Sequence, residues 1–233
     1  MKKYVKLIPF YGIIPLLTCF LVNDIVYFIL RLFMEGAYHY DLTTSLDRMI
    51  PFVPAWVSIY FICYIFWIVN YLLVAAQGKE HLYRFVVADI LSRLICGVFF
   101  VILPTTNVRP EVVGNGIWEN LMRWLYAIDA PTNLFPSIHC LTSWFCYIGI
   151  RGQKKVPKWY QIFSLIFALL VCLSTQFTKQ HYLVDVIGGI GLAQLCYWIA
   201  MKFDWYKPVM VFFEGVNERI RRLITSTGKK HGK

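Results

Sequence analysis

His181 and Asp185 stand four residues apart at the mouth of a long apolar run, within the stretch STQFTKQHYLVDVIGG that covers Ser174 to Gly189. On a helix, side chains at i and i+4 share a face and touch. A carboxylate that takes the proton of one imidazole nitrogen fixes the tautomer and makes the other a better base or nucleophile. Alone, the pair reads first as a polar contact stapling a membrane helix to its neighbour. His139 shifts that balance. Pro136 and Ser137 precede it where another apolar run begins, and there proline opens a helix and serine caps it. Free N–H groups at a helix start favour a bound phosphate, and an imidazole in that first turn can give a proton to a leaving oxygen. The alternative is a capped helix with an incidental histidine. Arg109, beside Pro110, adds a planar fork suited to phosphate oxygens. The set then comprises a nucleophile, its orienting acid, a proton donor and a cation.

The elements that must hold these residues are membrane helices. Apolar residues make up 58% of the chain and the mean hydropathy is +0.57, above the usage of soluble domains. The aromatic share of 18% suits a bilayer interface. A span needs about 20 mostly apolar residues. The sequence offers six: Leu7–Leu30, Pro51–Ala76, Phe85–Leu103, Pro136–Ile150, Trp159–Gln176 and Val184–Met201, the fourth being short. The expected fold is therefore an all-α bundle of six transmembrane helices, one domain over residues 1–233 with a basic tail at 220–233. The N-terminus has the basic head and apolar body of a signal peptide but no small-residue cleavage site, and is expected to be a retained first span.

Charge sets the expected orientation. Lys2, Lys3 and Lys6, then Lys79 and Arg84, then Arg151, Lys154, Lys155 and Lys158, and finally the tail fall on one side. The alternate loops hold only Arg31, Arg48, Arg109, Arg123 and Lys179. Lys and Arg concentrate on the cytoplasmic side, so both termini are expected inside, which requires an even number of spans. The net charge of +10 then reflects topology and anionic headgroups rather than nucleic acid. The same alternation brings Thr105–Pro110, Phe135–Cys140 and Ser174–Asp185 to the outer side, at a membrane boundary where ionisable groups are functional candidates.

Between the third and fourth runs, Ile117, Trp118, Leu121, Trp124 and Leu125 recur at helical spacing, predicting an amphipathic helix along the interface. Asn217 onward reads as a surface-lying or frayed tail. The seven cysteines lack any C-x-x-C pair and read as small core hydrophobes. Asp89 and Arg93, at i and i+4 in the third span, predict an intrahelical ion pair. Asn23 and Asp24, late in the first span, read as a boundary polar pair or as the lining of a lipid access route. His39, His81 and His231 fall between runs and receive no role.

Pro136-Ser137-Ile138-His139 followed by Ser174-Thr175, His181 and Asp185 resembles the type 2 phosphatidic acid phosphatase superfamily, whose motifs read Pro-Ser-Gly-His and Ser-Arg-x5-His-x3-Asp. Arg109-Pro110 stands at the end of its upstream Lys-x6-Arg-Pro motif. Ile102, Ile138 and Thr175 depart from that motif's lysine, glycine and arginine. The run His181-Tyr182-Leu183-Val184-Asp185-Val186 is similar to the branch containing inositol phosphorylceramide and sphingomyelin synthases.

The resemblance implies that His181, activated by Asp185, attacks phosphorus and forms a phosphohistidine. His139 would protonate the leaving group and then activate water or an alcohol acceptor, while Arg109 and Ser137 steady the phosphate oxygens. It implies no metal and no cofactor, and a membrane lipid phosphate as substrate. Two missing cations suit a phosphodiester better than a phosphomonoester dianion, which fits transfer chemistry; Lys179 is a substitute charge or a solvated loop lysine. Hydrolase and headgroup transferase both stay open, as does a non-catalytic transporter on the same scaffold. The cell membrane, with the site on its non-cytoplasmic side, is the expected location.

Overall fold

The computed structural model describes residues 9–230; Lys2, Lys3, Lys6, His231 and Lys233 lie outside them. The chain begins with α1 (Phe10–Asp24), which passes through a π-helical turn at Ile25–Ile29 into α2 (Leu30–Phe33). A two-residue strand β1 (Tyr40–Asp41) and the short α3 (Ser45–Met49) lead to α4 (Val57–Ala75) and α5 (Lys79–Ile102). Then come β2 (Thr105–Thr106), α6 (Ile117–Ile128), α7 (Ile138–Ile150), α8 (Lys158–Phe177), α9 (Leu183–Lys202) and α10 (Tyr206–Lys230).

Among the described residues, five helical stretches are long and apolar enough to cross a membrane: Phe10–Phe33, Pro54–Ala75, Lys79–Ile102, Lys158–Phe177 and Leu183–Lys202. They mark an integral membrane protein built as an all-α bundle. Large apolar side chains such as Leu17, Ile65, Leu94, Ile162 and Ile187 cover its outside, as a lipid solvent requires and water would not tolerate. The third helix begins at Lys79 rather than at Phe85. Gly78, at φ 133°, breaks the chain before it, and Glu80 and Arg84 pair across the first turns at 3.0 Å.

The expected fourth span forms as a shorter helix than the other five. At 13 residues, α7 is about 20 Å long, against a hydrocarbon core of about 30 Å. It is the buried centre of the bundle, packed against α4, α8 and α9, with Leu141, Phe145 and Cys146 fully buried. Its apolarity serves burial in protein.

Asp89 and Arg93 form the expected ion pair at 3.0 Å, buried within α5. Tyr71 donates to Asp89 at 2.6 Å and Arg93 donates to Thr142 at 2.8 Å, so the pair ties α5 to α4 and α7. The amphipathic α6 forms where expected, but Met122 and Leu125 are its buried side while Ile117, Trp118 and Trp124 are exposed. The tail continues a docked helix rather than starting as a free one. On α10, Glu214 accepts from Lys79 and from Tyr83 (2.8 Å), and Phe213 stacks on Tyr83. All seven cysteines are free and buried. His81 lies in the first turn of α5, its Nε2 2.7 Å from the Gly149 carbonyl.

Polar segments are stitched together at one end of the bundle. Strands β1 and β2 pair in parallel. The Thr105 hydroxyl accepts from the N–H groups of Leu134 (2.9 Å) and Phe135 (3.0 Å), and Asn107 donates to the Lys179 carbonyl at 2.9 Å.

Candidate active site

His181 sits in the tight turn between α8 and α9. Lys179 takes a left-handed conformation at φ 54°, and the Thr175 carbonyl accepts from the N–H groups of Gln180 (2.9 Å) and His181 (3.2 Å). Asp185, in the first turn of α9, accepts from the Tyr182 N–H at 2.9 Å and lies 3.2 Å from His181 Nδ1 through the same Oδ2. One carboxylate therefore caps the helix and orients the ring. An ionised carboxylate only accepts, so Nδ1 carries the donated proton and Nε2 is left for a substrate. Asp185 is fully buried and the His181 side chain is 8% exposed. Burial opposes the charged imidazolium, but the hydrogen bond and charge of Asp185 outweigh it and raise the His181 pKa above its ordinary value.

Ser137 caps α7: its hydroxyl accepts from the Cys140 N–H at 3.3 Å. Its own N–H donates to the Asp185 carbonyl at 3.1 Å. With its hydroxyl so engaged, Ser137 is fully buried and joins the starts of α7 and α9. His139, in the first turn of α7, has its ring centroid 6.0 Å from that of His181. It rests on Tyr60 at 4.4 Å and beside Trp67 at 5.3 Å. Its Nδ1 lies 3.4 Å from the Tyr60 hydroxyl and its Nε2 3.4 Å from that of Tyr64. Asp129 in turn accepts from Tyr60 (3.2 Å) and Tyr27 (2.6 Å). Each histidine thus has a carboxylate behind it, direct for His181 and through Tyr60 for His139.

Arg109 is committed to protein partners. It donates to the Asp129 carbonyl and to Gln180 Oε1, with its guanidinium 4.6 Å over the Tyr126 ring. Burial lowers its pKa from the ordinary value. Two cavities meet at this point. One of about 370 Å³ is lined by His139, Asp24, Asp129, Tyr64 and Gln180, among others. The other, about 630 Å³, is lined by Arg109, Arg48, Lys179, Asp41 and Asn107. His181 lines both. His139 and Arg109 therefore face different chambers with His181 between them, and Ser137 lines neither.

The departing positions are unlike cation sites. Ile102 is 67% exposed at the end of α5. Thr175 is fully buried, its hydroxyl donating to the Cys172 carbonyl at 2.8 Å. Lys179 donates to the carbonyls of Asp47 (2.8 Å) and Ile50, so it is a bound loop cation rather than a solvated one. Burial lowers its pKa. Four residues at the histidines gave no sequence signal of their own: Tyr60 and Tyr64, at i and i+4 on α4, Asp129 in the outer loop, and Gln180 beside His181. Together the side chains place an imidazole oriented by a carboxylate and a second imidazole on one cavity.

A segment of 108 residues, 42% of this chain, is 24% identical to the inositol phosphorylceramide synthase catalytic subunit aur1 of Schizosaccharomyces pombe. The aligned part spans about a quarter of that relative's length, 25%. No solved structure is significantly similar to the chain. The sequence pattern of the PAP2 superfamily matches residues 34–199, well over half of the chain and inclusive of Arg109, Ser137, His139, His181 and Asp185, and the chain belongs to that superfamily.

Proposed function

We propose that the protein cleaves a lipid phosphate or phosphodiester through a phosphohistidine and passes the phosphoryl group to water or to an alcohol. The observation that carries this reading is the His181–Asp185 pair facing His139 across one cavity. His181 Nε2 attacks phosphorus, the bond from phosphorus to the leaving alcohol oxygen breaks, and His139 gives that oxygen its proton. His139 then takes the proton of the acceptor hydroxyl as its oxygen attacks phosphorus, and the P–N bond breaks. The covalent intermediate divides one difficult displacement into two easier ones. Each step is assigned to the chain's own side chains.

Transfer between lipids is favoured over release of free phosphate by two features. The positions of the motif cations hold Ile102, exposed at the end of α5, and Thr175, buried with its hydroxyl on the Cys172 carbonyl; two uncharged side chains suit the lower charge of a phosphodiester. The S. pombe relative is named as a synthase. In the same reading α7 completes six segments, both termini face the cytoplasm, and the site opens on the non-cytoplasmic face of the cell membrane. Residues 1–233 then act as one domain with a basic tail at 220–233.

The test is trapping with purified protein and lipids labelled at phosphorus, with and without alcohol acceptors. Labelled phosphohistidine is expected in the unmodified chain and its absence in His181→Ala. Equal labelling of the two would overturn the mechanism.

A further inference from the structure

The 370 Å³ cavity carries more acceptor chemistry than a phosphate would need. Asp24 and Asp129 both line it, and among the described residues no ion pair involves either carboxylate. Arg109 meets Asp129 only at its backbone carbonyl. Asn133, 3% exposed, lines the same cavity with its Oδ1 unpartnered, and the Asn23 Oδ1 beside Asp24 is likewise buried without a partner. Tyr27, Tyr64 and Trp67 supply aromatic wall. Tyr27 reaches it from the π-helical turn that follows Asp24, an arrangement concentrated at functional sites. Tyr64 is 46% exposed and Phe28 55%, so the cavity opens on the flank between α1 and α4.

Neither carboxylate has a cationic partner: Asp129 accepts from the Tyr27 and Tyr60 hydroxyls and Asp24 from the Asn23 amide. Together with amide oxygens and aromatic faces on one cavity, they match a group that carries positive charge and only donates. Aromatic faces attract such cations, and more strongly when water is excluded. A polyol headgroup fits less well, because it carries no charge to offset the two carboxylates. Of the orphaned atoms on this wall, Asn23 Oδ1 and Asn133 Oδ1 are acceptors, and the Thr132 hydroxyl can also donate. The complementary donor is present in the same cavity. Gln180 is 1% exposed, its Oε1 is held by Arg109, and its Nε2 has no partner, which leaves an N–H for an anionic oxygen beside the histidines.

We propose that this cavity binds a zwitterionic lipid phosphodiester, with the ammonium group of its alcohol held by Asp24, Asp129 and Asn133 among Tyr27, Tyr64 and Trp67, and a phosphate oxygen held by Gln180 Nε2. The proposal rests on the reading of the site given above and names its substrate class.

The test separates binding from chemistry by using the full chain with His181→Ala in detergent. Calorimetry compares glycerophosphocholine and glycerophosphoethanolamine with glycerophosphoglycerol and glycerophosphoinositol. The ammonium diesters are expected to bind about tenfold tighter, the scale of a desolvated cation–aromatic contact. Adding Asp24→Asn, a nearly isosteric change at an exposed position, is expected to remove most of that preference while leaving the neutral diesters within about twofold. Asp129→Asn is a second variant, expected to lower the ratio of ammonium to neutral binding and read as that ratio alone, because its carboxylate also accepts from Tyr27 and Tyr60. Equal or tighter binding of the neutral diesters, no binding of any of the four, or a uniform loss across all four in both variants would overturn the proposal. Phosphohistidine trapping in the unmodified chain reports separately on the reaction, so a failed ammonium preference leaves that reading standing, and failed trapping is read independently of the binding ratio.

Discussion

The backbone N–H of Ser137 donates to the carbonyl of Asp185 at 3.1 Å, so the start of α7, which bears His139, is fixed to the first turn of α9, which directly follows His181. One turn further along α9, Gly189 permits the approach. A Cβ there would come within 2.5 Å of the Ser137 carbonyl oxygen and 3.2 Å of Cys140 Cβ and the Leu141 nitrogen. Gly189→Ala must push α7 and α9 apart, at about 1–3 kcal/mol for overpacking. The melting temperature should fall and phosphohistidine formation should drop about tenfold or more, because a small misplacement of reacting groups is costly. Gly191→Ala, where nothing lies within 4 Å of the added Cβ, is the control and should change neither. Identical behaviour of the two variants would show that the close approach does not set the histidine geometry.

The His181–Asp185 pair gives the reaction a pH signature. Asp185 raises the His181 pKa, and only the neutral ring attacks. With a p-nitrophenyl diester, whose leaving group needs no proton from His139, phosphohistidine formation should therefore rise with pH through a value above about 6.5, the ordinary histidine pKa. Asp185→Asn should move that rise to lower pH while lowering the plateau, since the amide neither stabilises the imidazolium nor orients the ring as well. Stability runs the other way. A group with a raised folded-state pKa contributes stability that is fully present below about pH 6.5 and is lost as pH rises through the folded value. Thermal unfolding of the unmodified chain across that window should show this loss, and Asp185→Asn should flatten it. A pH profile unchanged by Asp185→Asn would remove Asp185 as the orienting acid.

The parts of the site that the sequence conveys are those whose partners lie within one turn. His181 and Asp185 meet across four residues because the Asp185 carboxylate turns back to the start of α9, where it also takes the Tyr182 N–H, and Ser137 caps α7 because its partner is the Cys140 N–H. Arg109 was legible as a residue and not as a contact: its guanidinium partners are 20 and 71 positions away. Tyr60, 79 positions from His139, carries no local pattern that marks it. The short fourth run is ambiguous for another reason: apolarity alone does not separate burial in lipid from burial in protein, and α7 is an apolar helix packed among its neighbours. Asn23 and Asp24 were recognisable as a polar pair, but their place on the histidine cavity depends on how α1 packs against the outer loop.

The phosphatase arginine cannot be restored by a single substitution at Thr175. That side chain is fully buried beside Cys140 and Cys172. Thr175→Arg would place a guanidinium there without a partner, and an uncompensated buried charge costs on the order of 3–5 kcal/mol. The expected result is a large drop in melting temperature with no gain in turnover of phosphatidic acid relative to a phosphodiester lipid. A folded Thr175→Arg protein with increased phosphomonoester turnover would show that the turn before His181 accommodates a cation, and that the diester preference lies elsewhere.

Tyr60 joins His139 to Asp129, its hydroxyl donating to the carboxylate at 3.2 Å and lying 3.4 Å from His139 Nδ1. A hydroxyl has one proton. If it goes to Asp129, the oxygen accepts from Nδ1–H, and Nε2 is the nitrogen that exchanges protons with the leaving and attacking oxygens. Tyr60→Phe removes that anchor while keeping the ring that stacks on His139 at 4.4 Å. General acid–base catalysis contributes about 10²–10⁴-fold, and losing its orientation should cost a part of this, roughly 10–100-fold in phosphohistidine formation from an alkyl diester. A diester with a p-nitrophenyl leaving group needs no proton, so its first step should be nearly unaffected. His139→Ala should show the same split more strongly. A purely structural role for Tyr60 would slow both substrates alike, and single-turnover rates for the pair distinguish the two cases.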